Sequence, residues 1–248
     1  MEKREYSLMF ETENEHWWFK GKRNIISSQI KKYITGNKNT ILDIGCGTGI
    51  MTASLKKYGD VVGLDYEIEA LRFCGRRGLK NLVNADIMKM PFKKNTFDAV
   101  CMFDVLYHKA INSDKNALAR IHYVLKPHGF LILTDAADIG VKSRHDIATH
   151  VRERYTKDKM SGLLLQSGFK LRRISYFNTF LYPAIYIARA LDNAINSGKP
   201  AKSNIKKSGS FVNGMLYRIM ALEGAIMKKS NLPFGVSIFA VAEKIPKQ

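Results

Sequence analysis

The run Ile41-Leu42-Asp43-Ile44-Gly45-Cys46-Gly47-Thr48-Gly49 is the stretch best suited to hold a ligand. Glycine lets the backbone turn sharply and come close to a ligand with no side chain between them. A helix starting just beyond offers unpaired N–H groups to an anionic group. Asp65 lies 20 residues after Gly45, where a carboxylate accepts hydrogen bonds from ribose hydroxyls. Asp86, in Asn84-Ala85-Asp86-Ile87, can accept the exocyclic amine of adenine. A dinucleotide loop, G-x-G-x-x-G, is the rival, but it needs its third glycine at position 50, which is Ile50. Asp65 fits any ribose-bearing ligand, and Asp86 taken alone reads as a helix N-cap. All three features fall in register at successive strand ends, which chance explains poorly.

Those strand ends follow from the pattern of the chain. Apolar runs bounded by turn residues predict strands at Thr40–Ile44, Asp60–Asp65, Asn81–Asn84, Phe97–Phe103, Phe130–Thr134, Phe169–Tyr176 and Val236–Glu243. Helical spacing predicts helices over Met51–Lys57, Glu67–Arg77, Asp114–Leu125 and Lys157–Gln166, and one or two more between Tyr6 and Tyr33. The expected fold is α/β: a Rossmann-like, seven-stranded, mainly parallel sheet with helices on both faces. Right-handed crossovers bring every loop that follows a parallel strand to one edge, where ligands bind. Residues 178–235 break the rhythm with two helices, Phe180–Ile195 and Phe211–Lys229, around a basic loop. The expected division is an N-terminal helical lid at 1–39, a core at 40–177, a helical cap at 178–235, and the last strand of the core at 236–248. The alternative for the cap is a helical pair that only shields the sheet.

The chain has 248 residues and a formal net charge of +18. Residues 142–248 carry 19 Lys/Arg against 6 Asp/Glu, so the excess lies outside the glycine-loop segment. Such a surface attracts phosphates, nucleic acid or anionic lipid heads; it also serves plain solubility. Cys46, Cys74 and Cys101 have neither metal-like nor disulfide-like spacing and suit a reducing compartment. No metal site is expected. The N-terminal residues open no apolar stretch and no apolar run reaches membrane-spanning length, so the expectation is cytoplasmic.

Further segments then match. They are Val62-Gly63-Leu64-Asp65, Phe97-Asp98-Ala99-Val100, Asp104-Val105-Leu106-Tyr107-His108, and Val124-Leu125-Lys126-Pro127-His128-Gly129-Phe130. With the glycine loop and Asn84-Ala85-Asp86, these cover about residues 40–135. Together they resemble class I S-adenosylmethionine (SAM)-dependent methyltransferases of the broad type 11 kind. His128 departs from the Pro-Gly-Gly usual in that family. A narrower resemblance, to a bacterial and archaeal subgroup, rests on Glu15-His16-Trp17-Trp18-Phe19 with Arg23, and on Ser143-Arg144-His145-Asp146 followed by His150 and Arg154-Tyr155. The resemblance implies SAM as cofactor, S-adenosylhomocysteine as product, and an antiparallel last strand. It places Asp43 and Gly45 near the methionine amine, Asp65 on the ribose, and Asp86 with the Ile87 amide on adenine. Gly47, Tyr66 and Phe103 complete that set. Trp18 is a candidate lid residue, with packing on the sheet as its alternative. Arg23 is a candidate partner for the cofactor carboxylate, or else a solvated helix residue.

Methyl transfer from a sulfonium is mostly a matter of alignment. A hydroxyl or amine acceptor must also lose a proton, and histidine suits that near pH 7. His108, His145 and His150 follow strands four and five; His145 with Asp146 is the candidate base and His108 the second. The alternative is that all three are structural or solvent-facing. The aromatic residues of the cap and its lysines suggest a small-molecule acceptor that is amphiphilic or phosphorylated, such as a lipid-linked sugar. Three other readings stay open: an RNA methyltransferase (a nucleic-acid partner), a non-catalytic SAM-binding protein in peripheral contact with a membrane surface, and an enzyme that consumes SAM in another way.

Overall fold

A computed structural model describes residues 3–137, 140, 146–147, 150–195 and 209–246. Two helices come first, α1 (Lys3–Thr12) and α2 (Trp17–Ile30). Then follow β1 (Asn39–Ile44), α3 (Ile50–Leu55), β2 (Gly59–Asp65), α4 (Ile68–Arg76), β3 (Leu82–Asn84), β4 (Phe97–Phe103), α5 (Asp114–Val124), β5 (Leu125–Ala136), α6 (Lys157–Gln166) and β6 (Phe169–Phe177). The chain closes with α7 (Tyr182–Ile195), α8 (Ser210–Met227) and β7 (Ser237–Lys244).

The strands form one seven-stranded sheet in the order β3-β2-β1-β4-β5-β7-β6. β1 to β5 are parallel, and β7 runs antiparallel between β5 and β6. Successive side chains of a strand point to opposite faces, and here both faces are covered. Leu42, Ile44, Val100, Met102, Leu131 and Leu133 pack against α5 and α6 through Leu118, Ile121, Met160 and Leu164. The alternate residues Ile41, Ala99, Cys101, Ile132, Phe239 and Val241 pack against Ile25, Ile26 and Ile30 of α2 and Met220 and Met227 of α8. α8 therefore lies on a face of the sheet beside α2, while α7 buries no residue.

The strand expected at Phe130–Thr134 begins instead at Leu125 and ends at Ala136. Leu125 pairs with Phe97, the register then shifts, and Phe130 pairs with Ala99. Residues 126–129 bulge out between, so their polar Lys-Pro-His-Gly composition hid the start of the strand. His128 sits in this bulge with φ 62, the left-handed region that favours glycine. That is the physical reason glycine is usual there; here the ring also meets Glu243, Nδ1 to Oε1, at 2.9 Å.

Candidate functional site

The glycine loop leaves β1 at the edge where the parallel strands end. Gly45, Gly47 and Gly49 all have positive φ (68, 56 and 87). The tightest constraint is at Gly45, where a Cβ would stand 2.3 Å from Cγ2 of Val105, in the loop after β4. The amides of Gly45 and Cys46 donate to Leu64 O at 2.7 and 3.0 Å, locking the turn onto β2. The Gly47 amide donates to Asp65 Oδ2 at 2.9 Å, and the Glu67 amide to Asp65 Oδ1 at 2.9 Å. The acid at the second strand end is thus part of the wall of the loop. Burial pushes its carboxyl above the usual carboxylate range, opposed by those two amides.

Asp43, the last inward residue but one of β1, is buried and accepts Thr52 Oγ1 at 2.6 Å. Loss of water around it pushes its carboxyl up to about 7, against that hydrogen bond. At the third strand end, Asn84 Nδ2 donates to the Asp65 and Tyr66 carbonyls at 3.0 and 2.8 Å. Asp86 caps a single 3-10 turn, Ile87–Lys89, by accepting the Met88 amide at 2.8 Å. Ile87 is buried and Tyr66 is exposed. Phe103 closes β4, pairs with Thr134 and is half-buried.

Other expected site residues are held by other partners. Arg23 donates to the carbonyls of Glu13 and Asn14. Trp18 donates its amide to His16 Nδ1 at 3.3 Å, and its ring packs with Trp17 on the α2–α8 face of the sheet. Asp146 is ion-paired with Arg154. His145 lies outside the described residues. His108 faces His150 with ring centroids 5.7 Å apart and accepts the Ala110 amide at 3.2 Å. Burial first, and then His150 and Lys109, lower its pKa to about 4.

Four residues at the site escaped the sequence reading. α1 lies over the glycine loop, and Met9 Cε comes within 3.7 Å of where a Cβ at Gly47 would be. Glu13, fully buried, accepts Thr48 Oγ1 and Arg77 on one carboxylate oxygen. Arg77 also donates through Nε to the Thr48 carbonyl at 2.8 Å. Glu13 stands in the run Glu11-Thr12-Glu13-Asn14-Glu15, which on its own looks like any solvated acidic stretch. Lys22 likewise bonds Asp104 after β4.

A ligand suited to this set donates hydrogen bonds to carboxylates at two neighbouring strand ends and meets bare backbone at the first. A nucleoside with a ribose and an exocyclic amine fits that chemistry. The strand order and this placement decide the fold. It is the class I methyltransferase fold. Residues 42–133 match the family described as a methyltransferase domain. An uncharacterized protein of Methanocaldococcus jannaschii is 36% identical over 121 residues, which are 48% of this chain and 44% of that protein. A sterol 24-C-methyltransferase of Aspergillus fumigatus is 38% identical over 112 residues, 40% of this chain and 29% of that protein. The match thus spans less than half the length of these relatives. Among solved structures, phosphoethanolamine N-methyltransferase 2 of Haemonchus contortus in complex with S-adenosyl-L-methionine superposes with a TM-score of 0.60 at 16% sequence identity, covering 89% of this chain and 52% of that one. The matched segment contains the glycine loop, Asp65, Asp86 and Phe103; α1, Glu13, α7 and α8 lie outside it.

Proposed function

We propose that this chain is an SAM-dependent methyltransferase acting on a small-molecule acceptor. The observation that carries the reading is the hydrogen bond from the Gly47 amide to Asp65 Oδ2, which joins the bare loop to the ribose-accepting acid. Asp65 receives the ribose hydroxyls, Asp86 and the Ile87 amide the adenine, and Asp43 with Gly45 the methionine amine; Trp18, Arg23, Tyr66 and Phe103 complete the surround. When bound, the cofactor supplies a methyl group already activated by its sulfonium charge.

What remains for the protein is alignment, exclusion of water and, for a hydroxyl or amine acceptor, removal of a proton. His108 is neutral at pH 7, since its pKa lies near 4. It is our candidate base among the described residues, with His145 the other. Asp146, paired with Arg154, anchors the segment after β5. An amphiphilic or phosphorylated acceptor is supported by the exposed Phe180 and Tyr186 and by the sterol methyltransferase among the relatives.

Calorimetry with S-adenosylhomocysteine tests the core of this reading. Micromolar binding is expected, near about −8 kcal/mol, and largely lost in Asp65→Ala. No heat at saturating nucleoside, or unchanged affinity in the variant, removes the proposal. A labelled-methyl screen over RNA, lipid and small-molecule fractions then identifies the acceptor class.

A further inference from the structure

Helix α7 is inside out. Its polar residues Arg189, Asp192 and Asn193 recur at three- and four-residue spacing, so they form one stripe. In a water-soluble helix such a stripe faces solvent. Here it is the less exposed side. Arg189 sits beside Arg154 and Asp146, and its Nη1 is buried without a hydrogen-bond partner among the described residues. The apolar stripe Ile187, Leu191 and Ile195, spaced by four, faces outward at 58%, 55% and 72% exposure. Aromatic rings continue this surface: Tyr186 meets Tyr182 at 6.0 Å, and Tyr182 meets the exposed Phe234 at 5.5 Å.

We propose that this outward face of α7 docks the protein on an anionic lipid surface. The occupant follows from charge. Besides the inward-turned Arg189, the sequence between 180 and 235 has seven Lys/Arg, of which Lys199, Lys202, Lys206 and Lys207 lie outside the described residues, against only Asp192 and Glu223. Glu223 is buried, receiving the Asn178, Thr179 and Phe180 amides. A second copy of the chain joined about a two-fold axis brings two stretches of net positive sequence together. An anionic bilayer complements both the apolar stripe and the charge. α7 lies on the surface rather than crossing it. At about 1.5 Å per residue its 14 residues fall short of the hydrocarbon core, and no described helix is long and apolar enough to cross a membrane.

Vesicle flotation of the full chain tests this, using phosphatidylcholine vesicles with and without phosphatidylglycerol. The expected result is flotation with the anionic vesicles, weakened by salt and by omission of phosphatidylglycerol. The triple variant Ile187→Ser/Leu191→Ser/Ile195→Ser should cut it by about tenfold or more, with unchanged S-adenosylhomocysteine binding and melting, because none of the three side chains is buried. Three outcomes overturn the proposal: no flotation of the parent chain, equal flotation with neutral vesicles, or full flotation of the triple variant. A dimer in light scattering that the triple variant dissolves, without flotation, gives the face to a second copy and overturns it too. S-adenosylhomocysteine calorimetry reads the cofactor site separately, so failure here leaves the proposed function standing.

Discussion

Glu13 and Arg77, 64 residues apart in sequence, form an ion pair at the rim of the glycine loop, and Thr48 of that loop donates to the same Glu13 oxygen. Burial pushes the Glu13 carboxyl upward, while Thr48 and Arg77 hold it down. The pair fastens α1 to the loop that α1 covers. Removing one partner of a buried pair strands the other, at a cost of about 3–5 kcal/mol. Arg77→Ala should therefore lower stability in urea by that amount. Glu13→Gln/Arg77→Met should cost less than the two single changes added together. Additive single effects below about 1 kcal/mol would show that α1 is not docked through this pair.

Asp43 makes the protein sensitive to pH. Its folded carboxyl lies near 7 through burial, against an ordinary value of 3.8. Between those values the folded state holds the proton more tightly than the unfolded chain. Stability is thus lost as pH rises from about 4 to 7 and levels off above, by up to about 4 kcal/mol. Asp43→Asn keeps an acceptor for Thr52 and removes the charge. Urea midpoints should match the parent near pH 4 and exceed it at pH 8. The same variant should bind S-adenosylhomocysteine more weakly, since the cofactor amine favours the ionised acid. A pH-independent difference between the two proteins would contradict this account.

Gly59 and Gly36 separate backbone strain from collision. Both have positive φ, 154 and 73. A Cβ at Gly59 would stand 1.9 Å from the Asn39 carbonyl oxygen, whereas one at Gly36 meets nothing within 4 Å. Gly36→Ala should cost about 1–2 kcal/mol, the price of the left-handed region alone. Gly59→Ala adds a backbone clash where β2 pairs with β1 and should cost more than about 4 kcal/mol or prevent folding. Thermal melts of the two variants check this, and equal losses would remove the clash from the explanation.

His108 has its pKa lowered to about 4. Between that value and the ordinary 6.5 the unfolded chain binds the proton more readily, so this histidine's contribution to stability is lost as pH falls from about 6.5 to 4. If His108 is the base, activity also persists down to about pH 5 and falls below it. NMR titration of the histidine ring protons should show one ring with no inflection between pH 5 and 8, and that ring should vanish in His108→Asn. A His108 inflection near 6.5 would refute the shift.

Local pattern carried much of the architecture. Phe97–Phe103 and Lys157–Gln166 have the boundaries their apolar runs and stop signals imply. The glycine loop, Asp65 and Asp86 lie at the ends of β1, β2 and β3, because each is a short-range signal of a turn or cap following a strand. The bulge at residues 126–129 was not legible, since its residues read as a turn until Leu125 finds Phe97 on the neighbouring strand.

The sequence by itself determined the order of elements and the three strand ends proposed to receive a nucleoside, because period and turn chemistry act over a few residues. Only the tertiary structure decided that Glu13 reaches Thr48 and Arg77, that α8 lies with α2 on the sheet, and that the polar stripe of α7 turns inward toward Asp146 and Arg154. Those outcomes depend on groups brought together from 35 or more residues away. Burial and pairing at such range leave no spacing in the chain to be read.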